Sequence, residues 1–321
     1  MRRFFFVALF LFQSFVVFSQ TQRSVFIKSL DVAASLGTMG ISVDASVPIN
    51  DIVSIRAGVS YMPEFNTKMS FGVQVGTEPE KKYDDKGERI KTKFDKMSEM
   101  FYELTGYKID ESVDMDCSVN FVNAKLMVDI KPFTNKDWYI SAGFFWGTRI
   151  IGKACNTTED MTSTLAVGFY NRIYDKVYNF EPIIEGISLP YEYEEKILRY
   201  GKMGMRLGSF NDKVDEDGKS VPYMMVPDQD GTVRANIKVN SFKPYLGFGW
   251  KHTLVNSPKW SFGFEAGAIF WGGVPNIYTH DGTSLTRDVS GVSGKAGDIV
   301  SLVKAFPVYP LLEFRVTRRI F

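Results

Sequence analysis

Residues able to do covalent chemistry are scarce in this chain. Its two histidines are His252 and His280, and imidazole is the side chain that most often serves as a general base near neutral pH. Hydrolases that work from a strand set a His and a Ser two residues apart on one face, so that base and nucleophile meet. Two residues beyond His252 stands Leu254, which cannot act as a nucleophile. "THDGTS" (279–284) gathers His280, Asp281 and Ser284, a grouping common in turns. "DKVDEDGKS" (212–220) brings Asp212, Asp215 and Asp217 ahead of Gly218. It lacks the strict spacing and the bidentate Glu of a calcium loop, so it reads as an Asp-Gly turn. No catalytic, cofactor-binding or metal-ligating residue is assigned, and no cofactor is expected.

Charged residues carry a clearer signal, a period of two. In "SFKPYLGFGWKHTL" (241–254), Phe242, Pro244, Leu246, Phe248, Trp250, His252 and Leu254 share one parity. Lys243, Tyr245, Gly247, Gly249, Lys251 and Thr253 share the other. Similar alternation runs from Phe26 to Leu36, Met39 to Val47, Val53 to Tyr61, Val122 to Ile130, Trp138 to Trp146, Trp260 to Phe270 and Leu312 to Ile320. Asp44, Arg56, Lys125, Asp129, Arg149, Glu265, Glu313 and Arg315 fall on the polar parity. Side chains on alternate residues of a strand lie on opposite faces, so each segment has one apolar face and one polar face. If the apolar faces meet lipid, the charges face a lumen and must pair there, because an unpaired buried ion costs several kcal/mol. The expected role of these eight residues is a structural luminal charge network; a proton or ion path is the alternative.

Composition and export agree with that arrangement. The chain has 321 residues, 45% hydrophobic and 15% aromatic, with 38 basic against 37 acidic residues. The balanced charge implies no nucleic-acid partner. Beyond the N-terminus no apolar run approaches the ~20 residues of a helical span, whereas a barrel strand needs only about 10. "MRRFFFVALFLFQSFVVFSQ" (1–20) reads as a signal peptide, with Arg2 and Arg3 before an apolar run, cleaved near Ser19 to Thr21. The links follow a strict order. Pro48–Asp51, Pro132–Lys136 and Asn256–Lys259 are short, whereas 62–116, 151–240 and 272–305 are long and polar. Short periplasmic turns, long extracellular loops and an even strand number are the outer-membrane pattern. The tight first external turn is Gly37–Thr38, and Phe321 provides a terminal aromatic that is out of phase with Ile320.

The expected fold is therefore all-β, a transmembrane antiparallel barrel of about eight strands in the outer membrane of a Gram-negative bacterium. Its domain spans 21–321. Ten strands would result if Lys68–Val75 or the segment 223–239, read as an Asp-Gly hairpin extending the sixth strand, entered the membrane. Short helices are expected in the loops. Phe94, Met97, Phe101 and Leu104 share one helical face, as do Leu165, Phe169, Ile173 and Val177. These helices could cover the barrel mouth as lids or pack on each other. The two cysteines, Cys117 and Cys155, enter an oxidising compartment; the antiparallel register puts Cys117 opposite about residues 151 to 153, a few residues short of Cys155, so a disulfide is possible, with two free thiols as the alternative.

Four stretches, "SLGTMGISVDASVPINDIVSIRAGVSYMP" (35–63), "IKVNSFKPYLGFGW" (237–250), "SFGFEAGAIFWGGVP" (261–275) and "VYPLLEFRVTRRIF" (308–321), resemble small outer-membrane β-barrel proteins of Bacteroidetes-type bacteria. The resemblance covers the strands and little of the loops. It implies fold and location, with no established activity to carry over. The functional expectation is a non-catalytic barrel anchoring large surface loops for envelope structure, adhesion or ligand interaction. A lipid- or lipopolysaccharide-modifying enzyme and a narrow channel are the alternatives. Expected partners are outer-membrane lipid, an extracellular ligand of unknown identity and, during biogenesis, periplasmic chaperones and the barrel-assembly machinery.

Overall fold

The computed structural model describes residues 29–78, 80–133, 136–183 and 189–321. The expected signal peptide, together with Phe26 and Lys28, lies outside them. In chain order the elements are β1 (Asp31–Gly37), β2 (Gly40–Pro48), β3 (Val53–Gly72), β4 (Gln74–Val75), α1 (Lys93–Thr105), β5 (Ser112–Ile130), β6 (Trp138–Gly147) and β7 (Ile150–Asn156). Then come α2 (Met161–Tyr178), α3 (Tyr191–Tyr200), β8 (Met203–Val214), β9 (Ser220–Met225), β10 (Arg234–Lys238), β11 (Phe242–Thr253) and β12 (Trp260–Phe270). The last are β13 (Asn276–Thr279), β14 (Val289–Ser290), α4 (Gly294–Ala305) and β15 (Val308–Arg319).

Strands β1, β2, β3, β5, β6, β11, β12 and β15 each pair antiparallel with the next, and β15 returns to β1, closing an eight-stranded barrel. Closure satisfies the backbone groups that an edge would leave bare in lipid. The alternation read from the sequence becomes inside and outside. Leu36, Ile41, Val43, Val59, Leu126, Ile140, Leu246, Phe248, Phe264 and Phe314 are exposed on the outer wall. Their neighbours in sequence are mostly buried, as in the alternating burial of β11 and β15.

Met39 departs from the expected outward parity. It occupies the β1–β2 turn, before Gly40 at φ +81°, and its side chain turns into the lumen. Arg318, on the same parity as Phe314 and Val316, lies opposite Trp260 with its guanidinium 5.4 Å from the centre of that ring at the periplasmic rim. A long cation can reach water there while its stem covers an aromatic.

Neither extra pair enters the barrel, so the count is eight. β3 and β5 are 20 and 19 residues long, about twice what a tilted crossing needs. Their upper halves rise together as a ribbon, with Lys68 opposite Asp116 and Gly72 opposite Ser112 after a bulge between Met62 and Phe65. Around that ribbon the long loops fold into a cap with its own core, in which Val75, Met97, Ile109, Met115, Val167, Tyr170, Met203 and Val233 are buried.

The segment 223–239 is not a hairpin. Its turn is present, with the Gly231 N–H donating to Asp228 O, but the flanking strands join different sheets: β9 pairs with β8, whereas β10 lies between β7 and β13.

The two helical stripes also need correction. α1 starts at a capping box between Thr92 and Asp95 and ends at Gly106 in the left-handed region. It buries Phe94, Met97, Met100 and Phe101, leaving Leu104 exposed. α2 buries Ala166, Val167, Tyr170 and Val177, while Leu165 and Phe169 stay largely exposed. The rotation lets Asn171 bond the Met203 backbone in both directions at 2.8 Å. The helices meet where Phe101 packs edge-on against Phe169 and Tyr170, within the cap core.

Candidate functional site

Seven of the eight residues expected in the lumen converge there. Arg56 on β3 donates to both Asp129 oxygens at 2.9 and 3.0 Å, and to Glu265 at 2.9 and 3.1 Å. Lys125 lies 3.0 Å from Asp44 and 3.1 Å from Glu313. Arg315 reaches Glu265 at 3.0 Å, Glu313 at 3.3 Å and Asp44 at 3.6 Å. Four carboxylates thus share three cations, and each cation touches more than one acid. In a low-dielectric interior this mutual pairing offsets the cost of removing the ions from water.

Hydroxyl groups on the same parity complete the network. Tyr139 and Tyr245 donate to Glu265 at 2.8 and 2.7 Å. Ser141 donates to Asp129 at 2.7 Å, and Ser35 donates to Glu313. Sequence reasoning concentrated on charge and omitted these groups, although their inward parity marked them. Glycines make the room: a Cβ on Gly249 would strike the Tyr139 ring, and one on Gly247 would strike the Tyr245 hydroxyl.

Arg149 is not part of the network. β6 ends at Gly147, and Arg149 sits exposed at the extracellular rim before β7 begins. Counting by two through Thr148 carried the parity across a break in the strand. Lys243 was overlooked instead. It is fully buried beneath the rim and donates to Asn123 Oδ1 at 2.8 Å and to the Thr148 and Ser241 carbonyls at 3.1 and 3.3 Å.

The lumen is layered along its axis. A cavity of about 630 Å³ opens at the periplasmic end and reaches Arg56 and Asp129, with Asp31, Lys251 and Arg319 among its walls. Asp31 accepts from Lys251 at 2.8 Å and from Arg319 at 3.2 Å. Toward the outside, Met39, Phe121, Met127, Phe145, Tyr245, Ile269 and Leu311 pack into an apolar layer within the barrel.

The remaining candidates are separate. His252 lies at the periplasmic rim with Nδ1 2.7 Å from Asp137 Oδ2, stacked on Trp250. His280 is in the cap, its Nε2 2.9 Å from Val226 O. Asp281 accepts from the hydroxyls of Thr279 and Tyr223 at 2.6 and 2.9 Å, whereas Ser284 bonds to Thr286 and Asp288. The Asp215 turn is closed by Gly218 N–H to Asp215 O at 3.0 Å. Among the described residues no group of His, Cys, Asp or Glu side chains is arranged to hold a metal ion.

The expected disulfide is overturned by register. Cys117 stands opposite Ala154, and Cys155 stands opposite Asp116. The one-residue offset sends the two thiols to opposite faces of the sheet, and both cysteines are free.

An eight-stranded closed barrel, apolar around its outer wall and charged within, is an integral β-barrel of the outer-membrane type. Its links at 49–52, 131–137 and 254–259 are the short periplasmic turns, and the cap is extracellular. Among solved structures the chain is similar to Acinetobacter baumannii CarO2, at 16% identity over 91% of this chain and 99% of that one, with a TM-score of 0.37. It is similar also to Acinetobacter baumannii CarO, at 13% identity over 92% and 99% of the two chains and a TM-score of 0.38. A major outer membrane protein from Thermus thermophilus aligns at 12% identity over 91% and 98%, with a TM-score of 0.28. These are distant likenesses, and the assignment rests on the barrel's own geometry. No protein-family model and no curated protein sequence matches the chain.

Proposed function

We propose that this protein is a non-catalytic anchor that holds a folded cap at the cell surface, for adhesion, ligand capture or envelope stability. The observation that carries this reading is the division of the chain between two cores. The barrel devotes its interior to cross-linking its own wall, while the loops bury a larger apolar cluster than the lumen does. A cap with that much apolar core is a folded body carried above the barrel. The apolar layer in the extracellular half of the lumen favours an anchor over a channel. The wide separation of His252 from His280 favours it over a lipid-modifying enzyme.

The test has two parts. Planar bilayers containing the refolded protein are expected to show no stable conductance. Protease treatment of intact cells should leave the cap largely uncut while cleaving an unfolded loop control. Steady single-channel currents, or rapid cleavage throughout 73–111 and 157–202, would count against an anchor with a folded cap.

A further inference from the structure

We infer that a cleft at the extracellular rim is a binding site for a phosphomonoester, the group carried by phosphorylated glycolipid headgroups of the outer leaflet. The cleft has a volume of about 430 Å³, and its lining includes Arg149, Lys238 and Arg287 but no carboxylate. Among the described residues none of these three cations forms an ion pair of the kind that Lys82, Arg89, Lys202 and Arg234 make, and all three line one cleft. Three like charges around one cleft repel each other, and an anion held between them removes the repulsion.

The cations are placed by the strands. Val239 N–H donates to Arg149 O at 2.8 Å, which fixes Arg149 beside the end of β10. Lys238 lies opposite Asn276, with its ammonium 4.7 Å from the centre of the Tyr278 ring. Arg287 approaches the same ring and donates to the Tyr278 hydroxyl. One aromatic ring thus gathers two cations, as cation–π contacts do. On the opposite side the chain turns at Gly272 and Gly273, with φ of +81° and +133°. Gly272 lies against the Asn240 side chain, and its φ is one that side-chain-bearing residues rarely adopt.

Height in the membrane identifies the anion's source. The β11–β12 pairing ends with Tyr245 opposite Ile269; Phe242, which pairs with Trp146, and Gly272 each lie three residues farther toward the outside. Phe242 and Trp146 are exposed on the outer wall and packed edge to face, with the Phe144 ring tilted against Phe242. Aromatics of this kind mark the boundary between acyl chains and headgroups. The cleft sits on top of that boundary, at the level of lipid phosphates, where each basic residue adds attraction.

The inference rests on the outward orientation of the cap. Its test uses the full-length protein in dodecyl maltoside micelles, read by native mass spectrometry. The probes are bisphosphorylated lipid A, the same lipid with its phosphates removed, and inorganic phosphate alone. Wild-type protein is expected to retain the phosphorylated lipid and not the dephosphorylated one. The variant R149Q/K238Q/R287Q should bind it about ten- to a hundredfold more weakly, and R149K/K238R/R287K should keep binding. Saturable binding of inorganic phosphate without the lipid, lost in the glutamine variant, would support the phosphate site and assign it a soluble ligand. Equal retention of both lipids, undiminished binding by the glutamine variant, or no binding of any probe would overturn the inference. Heat-dependent gel mobility of each variant reports separately on the barrel, so loss of the site is distinguishable from loss of the fold.

Discussion

Arg56 Nη2 and Glu265 Oε2 lie 2.9 Å apart across the lumen, joining two residues separated by 209 positions in the chain. Their strands, β3 and β12, stand diametrically opposite in the eight-stranded ring. The pair is thus a spoke rather than a neighbour contact, and it can form only once the sheet has closed. Tyr139, Tyr245 and Arg315 meet the same carboxylate, making Glu265 the hub.

Removing one end of the spoke should therefore cost more than removing both. Arg56→Met leaves Glu265 and Asp129 short of a cation and is expected to destabilise the barrel by about 3 to 5 kcal/mol. R56M/E265L should recover part of that loss. Urea unfolding of protein refolded into liposomes, followed by tryptophan fluorescence, gives both values. A single variant as stable as wild type would contradict the network.

Leu126 and Phe264 face outward near the middle of their strands, while Lys125 faces the lumen. Leu126→Arg or Phe264→Arg is expected to cost about 2 to 4 kcal/mol. Lys125→Arg keeps its charge beside Asp44 and Glu313 and should be mild, within about 1.5 kcal/mol. Equal damage on both parities in the same unfolding assay would show that the faces are reversed.

Register makes a specific demand on the cysteines. Mass mapping without reduction should recover Cys117 and Cys155 unlinked. Ala154→Cys should oxidise readily with Cys117, because directly opposed residues bring their Cα atoms to about 4.5 to 5.5 Å, within disulfide range. A native Cys117–Cys155 bridge would instead require β7 to slip by one residue against β5.

The barrel was legible in the sequence because lipid imposes one rule on every strand. Residues such as Phe248 and Gly249 must go to opposite sides, and a period of two survives in a single sequence. The alternation of short and long links then fixed the orientation. The cap obeys no such rule. Strand β10 could have paired with β9, and only the competing partners β7 and β13 decide otherwise. Leu165 and Ala166 could each have faced inward, and packing around Tyr170 and Asn171 chose the latter. Errors in the lumen arose where a strand ends: Arg149 lies beyond Gly147, past a break that resets the parity. The three-cation cleft had no sequence signature, because Arg149, Lys238 and Arg287 come from three separate segments.

Asp281 gives the cap a pH dependence. Burial opposes its ionisation, but hydroxyls from Thr279 and Tyr223 and the Thr283 N–H hold its carboxyl below the usual carboxylate range. A depressed folded pKa contributes stability that is present above the unfolded value of about 3.9 and is lost as pH falls through the folded value. Pepsin digestion between about pH 4 and 2 should therefore open the 276–290 region progressively. Asp281→Asn should be more susceptible at the upper end of that window and flatter across it; an unchanged profile would remove Asp281 from this role.

The central claim, a closed barrel with a lipid-facing wall, is tested most directly by gel migration of the detergent-purified protein with and without boiling. The unboiled protein is expected to run faster than the boiled one and to keep β-type circular dichroism until heated. A chain that remains soluble and monomeric without detergent, with one mobility under both treatments, would contradict the barrel.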